Sequence, residues 1–398
     1  MDLNTKATSL PLEEQTRIFF VAALTFCLLG QLLQLSYWPG QSWGNTLTYF
    51  GLLILMPRFV AVLSTFRPVQ SITILLISPL ILFICFNIID KLYVLLPFAF
   101  AVSAKNIKFR LIVIYFFIIN LSFLLMSVAA SQAGLITDVV VDRDVLDVLE
   151  AESTGDNVNR HAFGYNWVTA FPAHVTYLWV MWLYLRKGSY KKWDYLLLFF
   201  SIWFVYHFCN ARMETVSMSI LVIYSVYYRV RVVKSEKLTI FEDLLLKLPV
   251  VFFASVMIYL TYQYRIDGSE VYEILDLILS GRLRLGSDAL FDEGIPFFGQ
   301  HYLQIGGEAS AIAYNFIDCS YLVWLIIYGI FFFILAMSSL TYICFRSVNS
   351  REYLIAIIMS LLALQGSLVS IFLNFAYNPF FMALFADWDY SSSEETSS

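Results

Sequence analysis

Eleven predominantly apolar runs follow one another along this chain, near residues 18–38, 46–66, 69–88, 91–104, 111–130, 167–185, 193–210, 213–229, 247–264, 316–344 and 353–372. Most are long enough to cross a hydrocarbon core; the fourth is short, and 370–386 is a candidate twelfth. In lipid each backbone must satisfy its own hydrogen bonds, and runs this uniformly apolar do so as helices rather than as alternating barrel strands. The expected fold class is therefore all-α, a polytopic transmembrane helical bundle. Residues 1–390 form its single integral-membrane domain, and the serine-rich 391–398 is a disordered tail. With 60% hydrophobic and 14% charged residues, the chain lies far outside soluble averages.

Lysine and arginine divide unevenly among the joining segments. Placing the N-terminus, 67, 105–110, 186–192, 229–247 and 346–351 on one side gathers 17 basic residues there and leaves seven on the other. By the positive-inside rule the first set is cytoplasmic, with the N-terminus among it. Acids go the other way, about 8 inside and 22 outside, which argues against nucleic acid as a partner. If the span count is odd, the tail lies outside. The first run follows a mixed-charge start and reads as a first helix rather than a cleaved signal. The five cysteines have no paired spacing; a Cys209–Cys319 bridge is conceivable, but buried thiols are the expectation.

Five of the seven outer cations, Arg160, Arg212, Arg265, Arg282 and Arg284, sit at the outer ends of expected helices. Guanidinium groups there suit a diphosphate better than they suit membrane insertion. Two long outer loops carry four of them. In 131–166, Leu135, Val139, Leu146 and Leu149 recur at helical spacing among Asp138, Asp142, Asp147 and Glu150, which predicts a short amphipathic helix on the outer face. That loop ends in Asn159-Arg160-His161-Ala162-Phe163-Gly164-Tyr165-Asn166. In 265–315, Val271, Ile274, Leu275 and Ile278 form an apolar stripe that Arg282 continues, and Ser280-Gly281 and Gly286-Ser287 predict a break lining a cavity. Between the loops, Cys209-Asn210-Ala211-Arg212-Met213-Glu214 makes a tight turn. It puts His207 and Arg212 at the interface, either as site groups or with Arg212 and Glu214 snorkelling as a pair. Arg58, next to Pro57, snorkels inward, pairs within the bundle or serves the site.

His161 and His301 lie on outer loops, while His174 and His207 lie in or near apolar runs; any of the four could act as a base near neutral pH. Neither HExxH nor paired-cysteine spacing occurs, so no metal site is expected. Asp142-Arg143-Asp144 sits in an acid-rich stretch and reads as a solvated helix face. The absence of a glycine phosphate loop removes ATP-driven transport.

Several local patterns go together. They are Ala101-Val102-Ser103-Ala104-Lys105-Asn106-Ile107 after a short span, Arg160 through Tyr165 entering a span, and Arg212 at a turn. The others are Leu279-Ser280-Gly281-Arg282-Leu283, Ile295-Pro296-Phe297-Phe298-Gly299-Gln300, Ile317 through Leu322, and Tyr328-Gly329-Ile330. In this order, over nearly the whole chain, they resemble the Wzy-type polysaccharide polymerases, which belong with O-antigen ligases among GT-C-like membrane glycosyltransferases. The sequence departs from that pattern twice: no Asn-Pro follows Gly164-Tyr165, and alanine precedes Arg212 where serine is common.

The resemblance implies a reaction at the outer face of the bacterial cytoplasmic membrane. A glycan on undecaprenyl diphosphate passes to the non-reducing sugar of a new lipid-linked repeat unit. The expected partners are those lipid-linked oligosaccharides, membrane lipids, and the flippase and chain-length regulator of the same pathway; no cofactor is required. Arg160, Arg212 and Arg282, helped by Arg265 or Arg284, would hold the diphosphate, where fixed cations stabilise leaving-group charge. His161 or His301 would be the base, with Asp318 as base or orienter. A ligase using another acceptor, a lipid-linked glycan flippase and a scaffold subunit stay open.

Overall fold

The computed structural model describes residues 15–89, 92–142, 159–188, 190–232, 238–305 and 315–388. Helix dominates, which bears out the all-α expectation. In chain order the helices are α1 Arg17–Gln34, α2 Trp43–Leu63, α3 Pro68–Phe83 continuing as a wide turn Ile84–Ile89, α4 Leu95–Ser103 and α5 Phe109–Gln132. A two-stranded antiparallel ladder, β1 Val140–Asp142 and β2 Asn159–His161, comes next. It is followed by α6 Ala170–Leu185, α7 Lys192–Cys209, α8 Arg212–Tyr227, α9 Ile240–Lys247, α10 Pro249–Asp267, α11 Glu270–Ile278 and α12 Arg282–Glu293. The rest are α13 Ser320–Leu322 with its wide continuation Val323–Ile327, α14 Ile330–Asn349, α15 Tyr353–Leu368 and a 3₁₀ turn Phe380–Leu384.

Among the described residues five helices are long and apolar enough to cross a membrane: α1, α2, α3 with its continuation, α5 and α14. The pair α9 and α10, bent by 67° at Pro249, makes a sixth if counted as one span. This is the build of a helical membrane protein. The other expected spans form helices of 9 to 18 residues.

The helices meet where side chains are small. A Cβ on Gly30 of α1 would lie 2.6 Å from the Gly44 carbonyl and from Thr48 Oγ1 of α2, so the two backbones pack directly against each other. Arg58 lies wholly inside the bundle, donating to the Ser103 carbonyl (3.2 Å) and the Lys105 carbonyl (2.5 Å). It satisfies the open C-terminus of the short α4, a structural task of the kind the paired reading described.

Two expected spans are not simple helices. The run 316–344 breaks at Tyr328-Gly329, where Gly329 has φ 89° and an added Cβ would meet Gly299 N at 2.4 Å. Segment 296–300 fills the break. The Gln300 amide donates to the Ile327 carbonyl (2.9 Å), its side chain to the Ile326 carbonyl (3.0 Å), and Ile330 N donates to the Pro296 carbonyl (2.9 Å). The freed backbone groups are thus paired inside protein, the condition for broken helices at membrane depth.

The second is 369–388. From Leu368, beside Arg282, the chain runs to Asp387, whose backbone bonds Ile107 and Phe109 at the other end of the bundle. It makes this passage without a long helix. Phe372, Phe375, Tyr377, Phe380 and Phe381 are buried along it. Its backbone is tied by Asn378 to Phe372 (2.6 Å) and Phe380 (2.9 Å), by Ser320 to Val369 (2.7 Å), and by Arg346 to Ala383, Leu384 and Ala386 (3.1 Å each). The stretch read as a candidate twelfth span is thus irregular chain rather than a long helix. It ends beside Lys108 and Arg346; the tail expected to follow lies outside the described residues.

Candidate functional site

The end of the bundle that carries Leu368 also gathers Arg160, Arg282, Glu214 and Asp318. Arg160 reaches it on the β ladder, which pairs Val141 with Arg160 and Val140 with His161. The amphipathic helix expected from Leu135 does not form over 135–142. Gly134, at φ 70°, ends α5, and the β-branched run Val139-Val140-Val141 suits a strand. The remainder of that expected helix, and Arg143-Asp144 of the acidic triplet, lie outside the described residues.

Asp138, read from sequence as one acid of a helix face, instead accepts from His161 Nδ1 (2.8 Å) and from the Phe163 amide (2.7 Å). The segment after β2 is stitched to the end of α1: Tyr37 N donates to the Gly164 carbonyl (2.9 Å) and Asn166 N to the Leu35 carbonyl (3.0 Å). Below it, the Tyr165 hydroxyl meets His174 Nδ1 (2.9 Å), and His174 Nε2 meets Asn120 Oδ1, all three side chains being buried. His174 thus anchors the loop that presents Arg160 and His161.

Arg160 Nε donates to the Cys209 carbonyl (3.0 Å) at the C-terminus of α7, where a helix end offers unpaired carbonyls. One tight turn later, Glu214 sits in the first turn of α8 with only 4% of its surface exposed. It lies within electrostatic reach of both Arg282 and Arg160, and of Asp318. Arg282 begins α12 after Ser280 and Gly281, both at positive φ, so the predicted break is there. The arginine does not continue the α11 stripe. It turns inward, donating to the Leu368 carbonyl (2.7 Å) and the Leu279 carbonyl (2.8 Å), with Nη2 3.5 Å from Asp318 Oδ2. Asp318 stands on the extended lead-in to α13. Burial raises its carboxyl above the ordinary value, and the Arg282 guanidinium pulls the other way.

The other candidates stand apart. Arg212 is exposed at the start of α8 and Arg284 is exposed on α12. Arg265 pairs with Asp292 (3.1 Å) in the open, the two side chains 47% and 63% exposed, and lies over the Phe291 ring (5.2 Å). His301 is exposed on the segment following Gln300. His207 stacks on Trp203 at 5.5 Å. The five cysteines are free and buried.

Chemically, the cluster offers two guanidinium groups held by backbone carbonyls, a buried carboxylate within electrostatic reach of both, a second carboxylate beside Arg282, and an imidazole on Asp138. Such a set can bind a phosphate-rich anion and accept a proton nearby. Sequence reasoning treated Glu214 only as a partner for Arg212 and did not single out Asp138. An acid in the first turn of an otherwise apolar run was the available signal for Glu214. No family model matches this chain, and neither a curated protein nor a solved structure matches it.

Proposed function

We propose that this chain is a membrane glycosyltransferase that lengthens a polysaccharide from polyprenyl-diphosphate-linked repeat units at the outer face of the bacterial cytoplasmic membrane. The observation that carries the reading is that Arg160 and Arg282, 122 positions apart in the numbering, both stand within electrostatic reach of the buried Glu214, with Arg282 also beside Asp318. Two fixed cations in a water-poor setting stabilise charge that develops on a departing diphosphate far more than they would in water.

In the step itself the acceptor hydroxyl oxygen bonds to the anomeric carbon of the donor glycan. The bond from that carbon to the diphosphate oxygen breaks, and the electron pair leaves with the diphosphate. The hydroxyl proton passes to Asp318 or His161. Arg160 and Arg282 hold the diphosphate of the donor; Arg212, Arg284 and His301 take no part in this assignment. A flippase and a chain-length regulator would supply lipid-linked units and set polymer length, and no cofactor enters the step.

Purified protein given a synthetic lipid-linked repeat unit tests this directly. Arg160→Lys and Arg282→Lys keep the charge but lose the fork, and each is expected to lower polymer formation about 100-fold, roughly 2.7 kcal/mol, leaving single repeat units. Normal long chains from both variants reject the assignment. Transfer to a different acceptor, with no chain growth, identifies a ligase instead.

A further inference from the structure

A groove of about 930 Å³ opens between α10 and α14, headed by Tyr262 and Phe291, and a second of about 540 Å³ continues it along α14 to Phe345 and Asn349, with Val251 of α10 as its facing wall. The two share Val251, Met337 and Ser338 as walls. From Phe333 to Asn349 the run covers about 24 Å at 1.5 Å per residue, most of the thickness of a hydrocarbon core. The groove exists because the facing helices present exposed Ser255 and Ser338 where larger side chains would close it.

We infer that this groove seats the isoprenoid chain of a second, acceptor lipid, with Arg265 at its head receiving that lipid's phosphate. The inference rests on the glycosyltransferase reading and deepens it. A cleft between two adjacent helices is about one hydrocarbon chain wide, which suits a single polyprenyl tail better than a two-chain lipid. Arg265 is the cation at the mouth: it lies over Phe291, stacked in turn on Tyr262 (5.5 Å), and its partner Asp292 is an exposed group that a phosphate can replace.

The spacing also fits the chemistry. About 12 Å of α12 separates Arg282 from Leu290, which lines the head of the groove. An acceptor reacts at its non-reducing sugar, with the rest of its repeat unit between that sugar and its own diphosphate. The acceptor's phosphates therefore belong some way from the donor's, which is where Arg265 stands relative to Arg282.

The test uses the full chain in lipid nanodiscs with a polyprenyl phosphate that carries a photoreactive diazirine in its tail. Labelling is expected on α10 and α14. Ser338→Trp, and independently Ser255→Trp on the facing helix, should cut it about tenfold, a change of 1.4 kcal/mol, while Ser338→Ala leaves it intact. Arg265→Gln should weaken labelling by the phosphate but not by the matching uncharged polyprenol. Arg282→Lys should leave labelling unchanged while glycan transfer falls, so the groove and the transfer site fail or stand separately. Labelling that survives both tryptophan variants, or that excess phosphatidylglycerol displaces as well as polyprenyl phosphate does, overturns the inference.

Discussion

Arg282 directs one guanidinium at the carbonyls of Leu368 and Leu279 and at the Asp318 carboxylate, three oxygens from three segments. Asp318 in turn is covered enough for burial to raise its carboxyl while Arg282 opposes the rise. If its charged form takes the proton or holds the arginine, transfer should fall as pH drops through that raised value, so the acid limb sits higher than for an ordinary carboxylate. In a pH–rate profile, Asp318→Asn should remove the limb along with most of the rate; an unchanged limb would assign it to another group. At this scale the sequence was partly legible. Glycine and serine beside Arg282 signalled an unusual backbone, and Arg160 stood out as a cation on the wrong side. Glu214 was not legible in the same way, because its meaning depends on Arg160 and Arg282, which only tertiary structure brings to it.

Among the elements, hydropathy marked the positions of most helices but not their interruptions. The run 316–344 reads as one span because its residues are apolar throughout; the break comes from Gly329 and from Gln300, a polar side chain in a different segment. Gly329→Ala forces a Cβ into backbone atoms at a positive φ. It should cost about 1–3 kcal/mol, seen as a lower melting temperature in detergent. An unshifted melting curve would mean that the helix can straighten. Likewise, over the described part of an expected helix, 135–142, strand β1 stands instead because three consecutive valines outweighed a sparse apolar periodicity, a local competition that spacing alone does not settle.

For the molecule as a whole, Arg160 and Arg282 stand at one end of the bundle and Lys108 and Arg346 at the other. Segment 369–388 joins those ends, and Arg346 holds it by three carbonyls and by its cation over Trp388 at 4.0 Å. Arg346→Ala removes the guanidinium donor from the Leu384 and Ala386 carbonyls and leaves Ala383 only Trp388 Nε1, at a cost of about 1–3 kcal/mol, and amide exchange across Phe372–Ala386 should rise before exchange elsewhere. Uniform protection would show that the segment is held mainly by its phenylalanines. Asn374 and Asn378 tie this stretch locally, but its polar attachment to the rest of the bundle runs through Ser320, Arg346 and the Ile107–Phe109 backbone, groups carried by elements far apart in the chain. Those three anchors act as rivets between the segment and its surroundings, so loosening any one of them should free 369–388 locally before the rest of the bundle gives way.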